Sequence, residues 1–328
     1  MTLNSRFARI IVAICACKAA VASACDPCGL HNSVQVPGLI NTMRSTGLCA
    51  GSVTVGMQQQ LSTFKVRDEN DLRTTEGDLE LIKTLSVTQV SAGYNLSKSV
   101  AAQVNVPFII RNYDTFQRFR RVNETEAGFG DMSLNTTYSP YSHNDVDSRV
   151  FVAAIGGVKL PTGDTGALTR VASEDPTTVD QRIQGRGLTL GTGSVDIPLG
   201  LVSYARVGRL VGFTSAQYTM RGEGAAEYRF ANDFVWNAAP GYMFLLGEDE
   251  SLSFSLVMSG EHKGDDRLNG APLPKTSANN LYLGPELFYS NSNALSLQLA
   301  MDLPVALDVG GAAVQPETRW RVAVSISF

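Results

Sequence analysis

Few residues in this 328-residue chain have the chemistry for redox, metal or hydrolytic work: it holds five Cys and three His. Cys25-Asp26-Pro27-Cys28 has the spacing of a redox pair or half a metal site, and Cys49 follows it. Gly29 stands where a haem-attachment motif requires His, and the three cysteines fall short of a four-ligand zinc set. In an oxidising compartment an odd count leaves one thiol over. One arrangement lipidates Cys25 and joins Cys28 to Cys49 as a disulfide, although Ala22 occupies the position where a lipidation signal carries a large apolar residue. The histidines His31, His143 and His262 are scattered. Glu261, His262, Asp265 and Asp266 form a faint version of an acid-histidine protease cluster. A lipid hydrolase would need a serine beside His262, but Lys263 and Gly264 follow it. Gly191-Thr192-Gly193-Ser194 and Gly163-Asp164-Thr165-Gly166 lack the Lys-Ser/Thr pair and the helix of a phosphate cradle. The expectation is therefore of no enzyme, no cofactor and no metal.

The elements that carry these residues start with an address. Arg6 and Arg9 flank an apolar stretch from Ile10 to Val21, interrupted by Lys18, and Ala22-Ser23-Ala24 is a small-x-small cleavage site. Residues 1–24 read as a secretory signal, whose apolar run, with Lys18 inside it, is too short to span ~30 Å of hydrocarbon as a helix. A formal net charge of −4 excludes nucleic acid, since neutralising many phosphates needs a surplus of Lys and Arg. No later run approaches the ~18 apolar residues of a spanning helix, so the mature chain is either periplasmic or crosses a membrane as strands.

Period-two alternation predicts twelve strands: 52–66, 79–94, 99–112, 127–138, 148–160, 193–206, 209–220, 231–246, 250–262, 278–289, 293–304 and 317–328. In the last, Trp320, Val322, Val324, Ile326 and Phe328 share one face, and Arg319, Arg321, Ala323, Ser325 and Ser327 the other. A soluble sandwich and a membrane barrel both alternate this way, but the connections separate them. Those at 67–78, 113–126, 161–192, 221–230, 263–277 and 305–316 are all longer than those at 95–98, 139–147, 207–208, 247–249 and 290–292. Outer-membrane barrels sort their loops like this, with short turns on the periplasmic side. Tyr94, Tyr138, Tyr141, Tyr204, Tyr242, Tyr289 and Trp320, near strand ends, suit interfacial girdles. The expected fold is an all-β, antiparallel, up-and-down transmembrane barrel of about twelve strands over residues 52–328. A periplasmic segment, 25–51, precedes it.

Three motifs carry a resemblance. Gly128-Phe129-Gly130-Asp131 with Leu134 and Tyr138, Gly157-Val158-Lys159-Leu160-Pro161-Thr162-Gly163-Asp164, and Leu190-Gly191-Thr192-Gly193-Ser194-Val195-Asp196 follow one another in an order and spacing that resembles the outer-membrane proteins of the MetA pathway of phenol degradation family. The resemblance covers about residues 128–328 and implies transport of aromatic or other apolar compounds. Taken alone, the same motifs read as turn and rim residues of a barrel. The terminal Phe328 resembles the signal read by the machinery that assembles such barrels.

Alternation puts Arg111, Asp131, Lys159, Asp196, Glu286, Asp302, Arg319 and Arg321 on the lumen face, with the two signs balanced. An ion-selective pore would show one sign; the mixture suits internal pairing or passage of neutral solutes. The reading is a channel in the outer membrane of a Gram-negative cell, contacting its lipid and passing small apolar or aromatic solutes by diffusion, with the 161–192 loop as an inward gate. The alternatives are a non-conducting structural barrel and a lipid hydrolase.

Overall fold

The computed structural model describes residues 50–66, 81–117, 120–145, 147–171, 182–247, 250–291, 295–309 and 314–328. The predicted signal segment and Cys25, Cys28 and Cys49 lie outside the described residues. In chain order the strands are β1 Val53–Val66, β2 Leu81–Asn95, β3 Val100–Gln117, β4 Arg120–Phe129, β5 Ser133–Asn144, β6 Ser148–Lys159, β7 Thr169–Val171, β8 Arg182–Gln184, β9 Ile197–Val207, β10 Leu210–Met220, β11 Tyr228–Arg229, β12 Asp233–Leu246, β13 Glu250–Lys263, β14 Arg267–Leu268, β15 Ala271–Pro272, β16 Ala278–Asn291, β17 Leu295–Asp308 and β18 Val314–Ser327. No helix among the described residues is long and apolar enough to cross a membrane.

Each long strand pairs antiparallel with its neighbour in the chain, and β18 returns to β1 with Trp320 opposite Leu61. The seam is sealed at its end by reciprocal backbone hydrogen bonds between Val53 and Phe328. β4 and β5 both pair with β3 and are two halves of one wall position, so the 13-stranded sheet is a closed 12-strand barrel. Closure leaves no free edge along most of the wall, which a strand needs in order to sit in hydrocarbon.

The side-chain period sorts the two faces. Ser296, Gln298, Ala300 and Asp302 of β17 are buried inside, whereas Leu297, Leu299 and Leu303 are exposed outside. Arg319, Arg321, Ala323 and Ser325 of β18 point inward, and Trp320 and Val322 outward. Leu199, Leu201, Leu256, Met258, Leu283 and Leu287 continue the outer apolar surface around the wall. An apolar band of that extent is not tolerated in water and marks a lipid-facing surface. Tyr94, Tyr138, Tyr141 and Tyr242 lie exposed on the outside near the short turns. Tyr204 does not: it points inward and stacks on Phe151, with ring centroids 5.7 Å apart. Strand-end position had suggested a girdle, but Tyr204 shares its face with the buried Val202.

Three predicted elements are corrected. The strand placed at 127–138 is the middle of a longer wall position running from Arg120 to Asn144, and it spans a break at 130–132. Of the residues assigned to a loop at 113–126, those at 113–117 and 120–126 instead extend β3 and β4, which pair with Asp114 facing Asn123. His143, expected in a turn, is in β5 opposite Val150. Alternation fails as a guide there because Arg120–Glu126 is polar on both faces.

Leu299→Arg, which puts a charge in the middle of the outer band, is expected to cost about 2–4 kcal/mol in urea titrations of the protein refolded in phospholipid vesicles. A water-facing surface would show no loss from that substitution.

Candidate functional site

At the break in the wall, Val106 and Pro107 of β3 face three residues, Gly130, Asp131 and Met132, so this side carries one residue too many. Pro107 has no N–H to donate, though its carbonyl still accepts from Gly130 N at 3.0 Å. The surplus residue bulges, and a bulge re-aims a side chain. Here it turns the Asp131 carboxylate into the lumen, where it is buried. On the neighbouring position β6 ends at Lys159, two residues before Pro161, and β9 starts beyond Asp196. Lys159 and Asp196 exchange backbone hydrogen bonds as the last rung between them. Above that rung β4 keeps β3 as its ladder partner and has none on its other edge among the described residues.

The chain between β6 and β9 does not stay outside. Leu188, Thr189, Leu190, Thr192 and Ser194 are all buried. Leu190 packs on Leu85, Val87 and Ile109, and Leu188 on Leu81, Ile82, Tyr113, Val309 and Val314. Arg111 Nη1 donates to the carbonyl of Thr189. The three motifs meet at this point. Asp131 Oδ1 accepts from Gly163 N at 2.9 Å, and Oδ2 accepts from Thr192 N at 2.8 Å, Thr192 Oγ1 at 2.7 Å and Lys159 Nζ at 2.7 Å. Gly130, Gly163 and Gly191 lie backbone to backbone: a Cβ on Gly163 would come within 2.9 Å of both Gly130 and Gly191. These glycines are there for close approach.

From Asp131 a line of alternating charges crosses the lumen wall. Lys159 Nζ lies 2.7 Å from Asp196 Oδ2, Arg221 Nη1 reaches the same oxygen at 3.0 Å, and Arg221 Nη2 reaches Asp233 at 2.7 Å. Ser194 Oγ donates to Asp196 Oδ1 at 2.7 Å. Every charge is buried and every neighbour is of opposite sign, the condition for holding ions in a low-dielectric interior. A second group occupies the opposite wall: Arg319 pairs with Glu261 at 2.8 Å, Arg321 pairs with Asp302 at 2.7 Å, and Arg319 stacks over Tyr282 at 4.4 Å. Glu286 accepts from Gln298 at 2.7 Å. The eight lumen candidates are thus all buried inside the barrel, divided between two ionic groups with Arg111 and Glu286 apart. Arg221, Asp233, Thr192, Ser194 and Glu261 complete those groups and were missed. Strand register alone would have found Glu261, whose inward parity matches Ser259.

Below the first group, on the same strands, lies a different surface. Phe151, Ile155, Val202, Tyr204, Val211, Phe213 and Met243, from β6, β9, β10 and β12, form one buried apolar tract in the half of the lumen nearer the short turns. Across from it stand Gln58, Gln60, Gln103, Asn105 and Asn135. The wall is half apolar and half amide.

The acid-histidine cluster considered in the sequence comes apart. Glu261 and His262 lie on opposite faces, and Asp266 turns inward to Lys263 at 2.8 Å and to Tyr228. Burial and the Asp266 carboxylate push the Tyr228 phenol well above its ordinary pKa, so it stays a donor. His262 faces outward and shares a hydrogen bond between Nδ1 and Asn279 Oδ1 at 2.5 Å. A positioned imidazole of this kind becomes catalytic with a nucleophile, and the cleft beside it is lined by no Ser, Thr or Cys among the described residues. The described residues also contain no group of three or more metal-ligating side chains.

Residues 50–306 match the family described as "Putative MetA-pathway of phenol degradation". No curated protein matches in sequence. Among solved structures, a COG4313 outer membrane channel from Pseudomonas putida F1 superposes with a TM-score of 0.59 at 14% identity, over 86% of this chain and 97% of that one. The β-domain of the Bordetella autotransporter BrkA superposes at 0.46 with 9% identity, over 85% of this chain and 100% of that one. The CymD monoaromatic hydrocarbon channel superposes at 0.34 with 9% identity, over 94% and 97%.

Asp131→Ala removes the acceptor of four donors and leaves Lys159 with one carboxylate fewer. The expected loss is about 3–5 kcal/mol in urea titration, with faster amide exchange at Gly163 and Thr192. Asp131→Leu combined with Lys159→Met should lose less than Asp131→Ala alone. Equal losses would mean that the ion pair is incidental to the bulge.

Proposed function

Because the chain belongs to the MetA-pathway phenol-degradation family, we propose that it is an outer-membrane channel through which small apolar or aromatic solutes diffuse. The observation that carries this reading is the apolar tract around Phe151, Tyr204 and Phe213 on the inner wall. A lumen meant only for water and ions gains nothing from burying aromatic rings there, whereas an apolar solute finds a surface that exchanges contacts without unpaired polar groups. The ionic groups support the same reading. Their charges are spent on one another, so no ring of a single sign selects ions. A solved structure that shares the fold is described as an outer membrane channel.

The segment held on Asp131 stands above this tract as the inward gate. Leu188 and Leu190 lie between the long-loop mouth and the apolar wall, and movement past them requires the Asp131 contacts to yield or the solute to leave sideways. The ladder of β4, one-sided among the described residues and next to the glycine contact at Gly130, favours a sideways exit for solutes that dissolve in lipid. Phe328, exposed at the closing seam, serves as the recognition end for the barrel-assembly machinery. The activity in this reading is transport, and among the described residues no serine, threonine or cysteine lines the cleft beside the His262–Asn279 pair.

The test is entry of N-phenylnaphthylamine, an apolar aromatic dye that an intact glycolipid leaflet excludes, into cells carrying the protein or an empty vector. Wild type should speed entry several-fold, and Phe213→Asp, which buries a charge in the tract, should remove most of the gain. Equal rates with and without a protein shown to be folded by its heat-modifiable migration would overturn the reading and favour a non-conducting barrel. Planar-bilayer conductance separates the routes: dye entry with silent bilayers points to the sideways exit, and conducting steps point to an axial one.

A further inference from the structure

The outer surface above the apolar band has a feature that solute passage does not use. At the long-loop end, β11, β14 and β15 form a small three-stranded sheet over the mouth. Tyr228 and Leu268 are opposite one another on its buried face. The next residues, Arg229 and Arg267, are therefore opposite one another on its outer face. Like charges directly opposed across an antiparallel pair destabilise it. Neither guanidinium has a carboxylate partner among the described residues. Both line a cleft of about 340 Å³, together with Tyr218, Asn232, Phe234 and His262. Asp265 also lines it, but Asp265 Oδ1 accepts from the backbone N–H groups of Thr276 and Ser277 at 3.2 and 3.1 Å.

The floor of the cleft is organised as well. Tyr218, Phe234, His262 and Asn279 form one outward row across β10, β12, β13 and β16 by strand register. Asn232 Nδ2 donates to the Tyr218 hydroxyl at 2.9 Å, and Asn279 holds the imidazole by Nδ1, which leaves Nε2 for the cleft. Below the row the wall is lipid-facing, with Tyr218 and Phe234 themselves exposed. Two cations with donors beside them stand directly above aromatic rings at the level where lipid headgroups begin.

We propose that this cleft binds a phosphorylated glycolipid of the outer leaflet, with a phosphate between Arg229 and Arg267 and an acyl chain against Phe234 and Tyr218. Guanidinium forks match phosphate oxygens two at a time, and one phosphate relieves the repulsion of both arginines together. Free inorganic phosphate would meet the same cations but not the apolar floor. The inference rests on the long loops facing outward from the cell, and it holds whether or not the lumen conducts.

The test uses the full chain refolded in phosphatidylcholine nanodiscs, with Trp320→Phe leaving Trp236, two residues from Phe234 on the same face, as the fluorescent reporter. Diphosphoryl lipid A is titrated in, and its half-saturation should rise roughly tenfold in Arg229→Gln/Arg267→Gln and further in Arg229→Glu/Arg267→Glu. Lipid A stripped of its phosphates should give no saturable change, and inorganic phosphate should neither produce nor compete away the response. Unchanged affinity in the Gln pair, or equal binding of the dephosphorylated lipid, would overturn the proposal. Saturation by inorganic phosphate alone would replace it with a free-anion site. The Gln pair is read even where the Glu pair does not reach the folded, heat-modifiable form.

Discussion

A wall of strands in hydrocarbon has to pair every backbone N–H and C=O within itself, and in this protein that requirement is met by bringing β18 back to β1. Closing twelve strands makes a narrow tube, and the rest of the interior answers to that narrowness. Side chains of alternate parity have nowhere else to go, so arginines, lysines and carboxylates are forced into close quarters. A charge in such a space is stable only with a partner. The two ionic groups, one around Lys159 and Arg221 and one around Arg319 and Arg321, meet this condition.

The wall is broken at one level, and the break organises the lumen. Pro107 withholds a donor, the facing strand takes an extra residue, and Asp131 is swung inward. A buried carboxylate with four donors then pins the chain between β6 and β9 inside the tube. The stretch around Gly191 comes close enough only because Gly130 and Gly163 offer bare backbone. The covalent cause is a proline and an inserted residue; the structural result is a buried segment inside the tube between the mouth and the apolar tract, the segment proposed above as the gate.

The two ends of the barrel are specialised in different ways. Near the short turns the lumen presents aromatic and aliphatic side chains opposite amides, so the two sides of the wall differ in polarity. At the long-loop end the inside packs around Tyr228, Asp266 and Lys263, while the outside carries Arg229 and Arg267 opposite one another, without a carboxylate partner among the described residues. Solute handling is an inner-surface property and lipid contact an outer-surface one, and the strand period keeps them on separate residues of the same strands.

Much of this was legible in the chain itself. Twelve stretches of period-two alternation, loops of unequal length sorted by parity, and the eight inward charges follow from local pattern, because a strand's side-chain period is set by its backbone geometry whatever it pairs with. The family motifs were visible too, though only as turns and rims. That Gly130, Gly163 and Gly191 touch, that Asp131 and Lys159 find Asp196 and Arg221, and that Tyr204 stacks on Phe151 rather than facing lipid depend on register between strands far apart in sequence. A one-residue bulge at Gly130–Met132 changes which side chains meet without leaving a periodic signature. The sequence by itself determined a closed strand wall with polar inside and apolar outside; only the tertiary structure decided which charges pair, where the chain enters the lumen and where the apolar track runs, since those are set by the stagger of the closed barrel.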